Sequence, residues 1–164
     1  MMSVENIEIL CMNPHFQGVL MQLFLSGYKK PCELRLAFMA LPILMYSGSR
    51  KKLVKARNTS KMETLFLEQE VLENNVKISG KVNLSGYIDR YRQMLPLSKK
   101  ALIVLYSGKK IIVQKGKIIL TEPKNYTKYN GIMWEWAKAA YYLGVIFAKT
   151  NEEHLNYFLG VDRT

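Results

Sequence analysis

Lys99–Thr121 reads KKALIVLYSGKKIIVQKGKIILT, and how this stretch folds sets the architecture. Ile111–Gln114 and Lys117–Thr121 are β-rich runs joined by Lys115-Gly116, where glycine supplies the positive φ of a tight turn, so a β-hairpin is expected. Ahead of it, Ala101–Leu105 is five apolar residues in a row, a run that periodicity cannot divide between a buried helix and a core strand. Read as a helix, Lys99–Ser107 starts at a Ser98 cap just behind Pro96. Upstream, Leu84, Ile88, Tyr91 and Leu95 form one apolar stripe with Asp89, Arg90 and Arg92 outside, predicting a separate helix over Leu84–Leu95 that Pro96 closes. Ser60-x-x-Glu63 reads as a capping box opening a helix over Met62–Glu73, with Met62, Leu65, Phe66, Val71 and Leu72 inward and Asn74-Asn75 as its stop. Two helices, a short third and a hairpin come in the order of a winged helix. Residues 60–121 are therefore expected to form a winged-helix-like portion, with Lys99–Ser107 as recognition helix and the hairpin as wing.

The flanks are helical. Asn13-Pro14 caps and opens a helix over 14–27, carrying Phe16, Val19, Leu20, Leu23 and Phe24, with Gly27 as a stop. Pro31 opens a second helix over 31–46, apolar on every face and hence central; Pro42 kinks it or ends it early, and Ser47-Gly48-Ser49 breaks the chain. Helical spacing of Trp134, Ala137, Ala140, Tyr141, Leu143, Gly144 and Phe147 predicts a long helix over Gly131–Lys149, and a short one follows to Leu159, so that 131–159 packs on the rest. The fold class is mainly α with a small β-hairpin (α+β): a winged-helix-like domain flanked by N- and C-terminal helices. One domain is expected over 1–164, since 164 residues of which 49% are hydrophobic can fill one core but not two.

The net charge of +11 is concentrated. Arg50, Lys51, Lys52, Lys55, Arg57 and Lys61 lie between Ser47 and Lys61 with no acid, and Lys99, Lys100, Lys109, Lys110, Lys115 and Lys117 form a second acid-free set. Such clustering points to a polyanion or an acidic partner protein, against the plainer alternative of two solvated lysine-rich loops. Lys99, Lys100, Lys109, Lys110, Lys115 and Lys117 are candidate nucleic-acid contacts: the wing would rest on phosphates, and Lys99 and Lys100 would sit at the positive end of the recognition helix. That helix has little arginine, asparagine or glutamine to read base edges, so contact with DNA would be non-specific. Arg50, Lys51, Lys52, Lys55 and Arg57 are candidates for docking protein or nucleic acid. Tyr126, Tyr129, Trp134, Trp136, Tyr141 and Tyr142 divide between core and interface.

No catalytic residue, cofactor site or metal site is expected, nor any small-molecule substrate. Gly108-Lys109-Lys110 lacks the upstream glycine and following Ser/Thr of a phosphate loop. His15 and His154 stand far apart, and Glu68 and Glu70 point to different sides of a helix. Cys11 and Cys32 lack metal or CxxC spacing and read as free thiols of a reducing cytoplasm. No signal peptide or membrane span is expected, because Leu34–Tyr46 is far shorter than the roughly 20 residues that cross a bilayer.

Several pieces together resemble a known family. They are Asn13-Pro14, the block Leu36-Ala37-Phe38-Met39-Ala40-Leu41-Pro42-Ile43-Leu44-Met45-Tyr46 followed by Arg50, the run Ala140, Leu143-Gly144, Phe147-Ala148, and the closing Leu159-Gly160-Val161. In that order they are similar to the middle component of bacterial ABC-type three-component systems, the group that includes Lamassu anti-phage defence. Lys51-Lys52-Leu53-Val54 departs from the Leu-Pro step this family often has after its arginine. The resemblance implies a non-enzymatic bridge between a structural-maintenance-of-chromosomes-like ABC ATPase and an effector, often a nuclease, with DNA sensed by the ATPase. A free-standing winged-helix transcription regulator and a small enzyme without recognisable motifs are the competing readings. A regulator would form a symmetric dimer matching two half-sites, and an enzyme would gather perturbed titratable groups in a pocket.

Overall fold

The computed structural model describes residues 11–66, 69–71, 77–79 and 86–159. Its elements run α1 (Pro14–Tyr28), β1 (Cys32–Glu33), α2 (Leu34–Leu44), α3 (Ser47–Val54), α4 (Met62–Phe66), β2 (Gln69–Val71), β3 (Lys77–Ser79), α5 (Tyr87–Ser107), β4 (Ile111–Gln114), β5 (Lys117–Leu120), a 3₁₀ turn (Tyr126–Lys128), α6 (Gly131–Lys149) and α7 (Glu152–Leu159). The chain is mostly helical with a small antiparallel sheet of order β1-β5-β4, an α+β fold. β2 and β3 form a separate antiparallel pair.

α1 is the axis of the core, packed against α6 on one side and α5 on the other, with α2 across it. From Phe16 to Tyr28 every residue except Val19 is buried, Gln17, Gln22 and Ser26 among them. Two of these buried polar groups tie down the segment leaving the hairpin. Gln22 Nε2 donates to the Glu122 carbonyl (2.6 Å), and Ser26 Oγ accepts from Lys124 N–H (2.9 Å). Asn13 caps α1 as its sequence implies, accepting from His15 N–H at 2.8 Å.

Gly27 does not end α1. The helix runs on to Tyr28 and stops at Lys29, whose φ of 63° is left-handed. Gly27 instead lets α1 touch α6 backbone to backbone: a Cβ at Gly27 would lie 1.9 Å from the Tyr141 carbonyl oxygen, and one at Gly144 1.9 Å from that of Phe24. α1 and α6 therefore cross glycine against backbone in both directions, with Phe24 and Phe147 edge to face beside the crossing.

Among the described residues the winged-helix order is not formed. Pro96 does not separate two helices: α5 is continuous from Tyr87 to Ser107 with Pro96 inside it. An interior proline costs about 3 kcal/mol. The inward stripe Tyr87, Tyr91, Met94, Ser98, Ala101, Leu105 continues across it at steps of four and three, so burial against α1 and α2 holds the helix together. Ser98 is then a buried mid-helix residue rather than a cap, and Ala101–Leu105 is helix. Nor does the helix expected over Met62–Glu73 persist. It stops at Phe66, residues 69–71 are strand, and Leu72, Asn74-Asn75 and Leu84 lie outside the described residues, as do Gly160 and Val161.

α2 starts at Leu34, three residues beyond Pro31, and carries Pro42 within it. Its C-terminal carbonyls, which have no helical partner, are met by two arginines. Arg50 Nη1 donates to the Leu44 carbonyl (2.8 Å), and Arg90 Nε to that of Pro42 (3.1 Å). The buried Tyr87 hydroxyl donates to the Met39 carbonyl at 3.0 Å. Ser47-Gly48-Ser49, read as a break, is the first turn of α3.

Cys32 sits in β1 opposite Ile118 and is fully buried, and burial, reinforced by the charge of Glu33, pushes its thiol up from 9.0 to about 12. Tyr87 and Tyr28 are raised likewise by burial. A raised thiol pKa favours the protonated, folded form. Its contribution is complete below pH 9 and is lost as pH climbs towards 12, by up to about 1.4 kcal/mol per pH unit. Urea midpoints measured from pH 8 to 10.5 are thus expected to fall less steeply for Cys32→Ala than for the wild-type chain. Parallel slopes would count against the burial assigned to Cys32.

Candidate functional site

The hairpin forms at the residues its sequence implies, with Gln114 opposite Lys117 and Ile111 opposite Leu120. Lys115 and Gly116, at φ 51° and 75°, make the mirror-image turn that suits strand twist. A second left-handed lysine orients it. Lys109 (φ 58°) follows α5, Lys110 N–H donates to the Leu105 carbonyl (2.9 Å) and Lys109 N–H to that of Tyr106 (3.1 Å), the paired bonds of a Schellman cap. Glycine or asparagine is the usual residue at both positions. A left-handed lysine costs roughly 1 kcal/mol or more, so the hairpin holds charge where an uncharged residue would be more stable.

Lys109, Lys115 and Lys117 are exposed, whereas Lys110 pairs with Glu122 at 2.5 Å, holding that carboxyl below its ordinary range. Lys99 and Lys100 are exposed too, but they lie in the middle of α5 and have no helix N-terminus to reinforce them. Apolar side chains stand among these lysines: Ile103 is 62% and Tyr106 61% exposed, with Ile112 and Val113 also open on β4. β4 is an edge strand, its outer backbone groups unpaired by the sheet.

The first basic set is carried by α3, which packs on α6 and α2. Arg50 belongs to the fold: its guanidinium stacks on the Trp136 ring at 3.8 Å besides capping α2, and burial lowers its pKa against opposing pulls from Cys11 and Glu135. Lys51, Lys55 and Arg57 are exposed, and Lys52 is half-buried. Between α3 and the first turns of α6 lies a cleft of about 590 Å³ with mostly apolar walls, Val54, Ile132, Met133 and Trp136, and with Lys51 and Lys55 on its lip. Charge clustering alone could not reveal this cleft; its signal in the sequence is Ile132 at the start of α6, where a solvated turn would be polar.

The tyrosines predicted to divide between core and interface are largely engaged internally. Tyr126, Tyr141 and Tyr142 pack ring to ring at 5.2 to 5.6 Å, and the Tyr126 and Tyr142 hydroxyls are 3.3 Å apart, raising Tyr142 to about 12. Among the described residues no group of three or more His, Cys, Asp or Glu side chains could hold a metal ion. His15 is exposed at the start of α1, and His154 lies 3.7 Å from Glu63. Among the described residues no helix is long and apolar enough to cross a membrane.

What the fold and its surfaces define is a mostly helical α+β protein organised around one buried helix, with two basic sets and an apolar cleft on its surface. The chain belongs to the family of middle component 3 of ABC-three component (ABC-3C) systems, whose family model matches residues 1–163. No curated protein and no solved structure matches it. A middle component has the other components of its system as partners.

Proposed function

We propose that this middle component is a non-enzymatic, cytoplasmic bridge in an anti-phage defence complex of the Lamassu kind. It would join a structural-maintenance-of-chromosomes-like ABC ATPase to an effector such as a nuclease and touch DNA non-specifically within that complex. The observation that carries the reading is that the two basic sets ride on different elements. One rides on α3, which packs on α6 and α2; the other rides on α5 and the hairpin, and α1 packs against both α5 and α6. Two basic sets on different elements of a helical core suit a subunit holding two different neighbours, whereas a reader of one duplex gathers its cations along one face.

The fused α5 also weakens the regulator reading, because Lys99–Ser107 is the second half of one continuous helix rather than a separate recognition helix. Co-expression with the ATPase and effector components is expected to give a three-part complex that survives moderate salt. Elution of this chain alone, as a monomer or homodimer, with both components present would refute the bridge.

A further inference from the structure

The apolar cleft between α3 and α6 faces outward beside exposed cations, and its chemistry specifies what fits. Ile132 at its mouth is 54% exposed, a large aliphatic side chain left in water next to the inner walls of Val54, Met133 and Trp136. Burying such a side chain contributes roughly 1.5–3 kcal/mol, an incentive the isolated chain leaves unused. Lys51 lies in the last turn of α3 and Lys55 is its C-cap residue, still in right-handed helical conformation, so the two stand about one turn apart along the lip. Among the described residues neither lysine makes an ion pair that would offset the repulsion between them. Glu135, on the α6 side, is the single acid of the lining among the described residues.

We infer that this cleft docks an amphipathic helix of one partner component. Its apolar face enters against Ile132 and Trp136, and a pair of carboxylates one helical turn apart meets Lys51 and Lys55. The asymmetry of the walls fixes its orientation: acids are drawn to the α3 lip, and Glu135 turns them away from the α6 wall. The volume of about 590 Å³ is that of a site enclosing several side chains, and helix-in-groove docking needs little more than such anchors. The inference rests on the bridging reading, since it supplies one of the two junctions.

The test measures binding of the full-length chain to each purified partner component separately, for the wild type, for the Lys51→Glu/Lys55→Glu double variant and for Ile132→Asp. All three substituted positions are exposed, so thermal melting should match the wild type. Each variant is expected to weaken one component, the same one in both cases, by roughly tenfold or more, and to leave the other unchanged. The double variant should also show a flatter salt dependence than the wild type. Wild-type binding of a component with both variants binding it equally well would overturn the cleft as its site while leaving the bridge intact. Failure of the wild-type chain to bind either component would sink both readings. If residues 1–10 of the chain itself fill the cleft, deleting them lowers the melting temperature and Ile132→Asp binds both components as the wild type does, which also overturns the inference.

Discussion

Gly144→Ala is expected to cost the fold about 3 kcal/mol or more, the largest stability loss anticipated for removing no contact at all. The added methyl group would sit 1.9 Å from the Phe24 carbonyl oxygen and 2.8 Å from the Tyr28 nitrogen, both backbone atoms of the buried axis helix. Neither can rotate away, so α1 and α6 must part by roughly 1.5 Å, loosening the dispersion contacts along their whole interface. For a chain of this length the loss corresponds to a melting point lower by roughly 6–12 °C. Gly27→Ala should be similarly damaging, since its methyl would lie 1.9 Å from the Tyr141 oxygen. The double variant should cost less than the sum, because the first substitution already opens the space the second needs. Gly18→Ala is the control. Its methyl would meet Ala101 O and Val104 Cγ1 at an ordinary 3.6 Å, and removing a helical glycine gains about 0.5–1 kcal/mol, so it should be neutral or stabilising. Denaturation of the four variants decides the matter; a Gly144→Ala chain melting with the wild type would mean that the helices do not cross at these glycines.

That crossing shows where the sequence was readable. Local signals held: Asn13-Pro14 starts α1, the helix over 131–149 follows its apolar periodicity, and Lys115-Gly116 turns the hairpin. Signals depending on another part of the chain did not. A glycine near a helix end looks like a stop, and only the presence of α6 reveals that Gly27 is there for a close approach. Pro96 looks like a boundary by its local cost, yet the inward stripe on either side stays in phase across it, so α1 and α2 can bury both halves as one helix. That phase is present in the sequence, and in the folded chain it outweighs the local cost of the proline. β1 is two residues long and pairs with β5 more than eighty residues later, beyond any local pattern. Among the candidate site residues, Lys109, Lys115 and Lys117 are exposed, but Arg50 is absorbed by Trp136 and the end of α2. An arginine in a basic run reads as solvated until the aromatic face that desolvates it is known, and here that face lies 86 residues away in sequence.

On the bridging proposal, the hairpin charges are expected to set how the assembled complex depends on salt when it binds DNA. Each phosphate contact contributes a log–log slope of about 0.9, and Lys110 is already paired with Glu122, so Lys109, Lys115 and Lys117 together should account for about 2.7. Between 50 and 200 mM salt, three such contacts would lower affinity by roughly 40-fold in the wild-type complex, a dependence the neutralised complex should lack. The left-handed backbone offers variants that test charge without harming the fold. Lys115→Asn creates Asn-Gly, the preferred pair for this turn, and Lys109→Asn places a residue tolerant of positive φ at the Schellman position. With Lys117→Gln added, the triple variant should be as stable as the wild type or slightly more so, yet bind DNA more weakly, by a similar factor for unrelated duplexes because phosphates carry no sequence. Equal weakening on all duplexes with a shallower salt slope would place the hairpin on the DNA backbone. An unchanged slope would assign the lysines, together with exposed Ile103, Tyr106, Ile112 and Val113 beside them, to an acidic protein neighbour instead, because the phosphate backbone offers no apolar surface to match those four. The strain at Lys109 and Lys115 would then be kept for a protein contact, and the ATPase alone would hold the duplex.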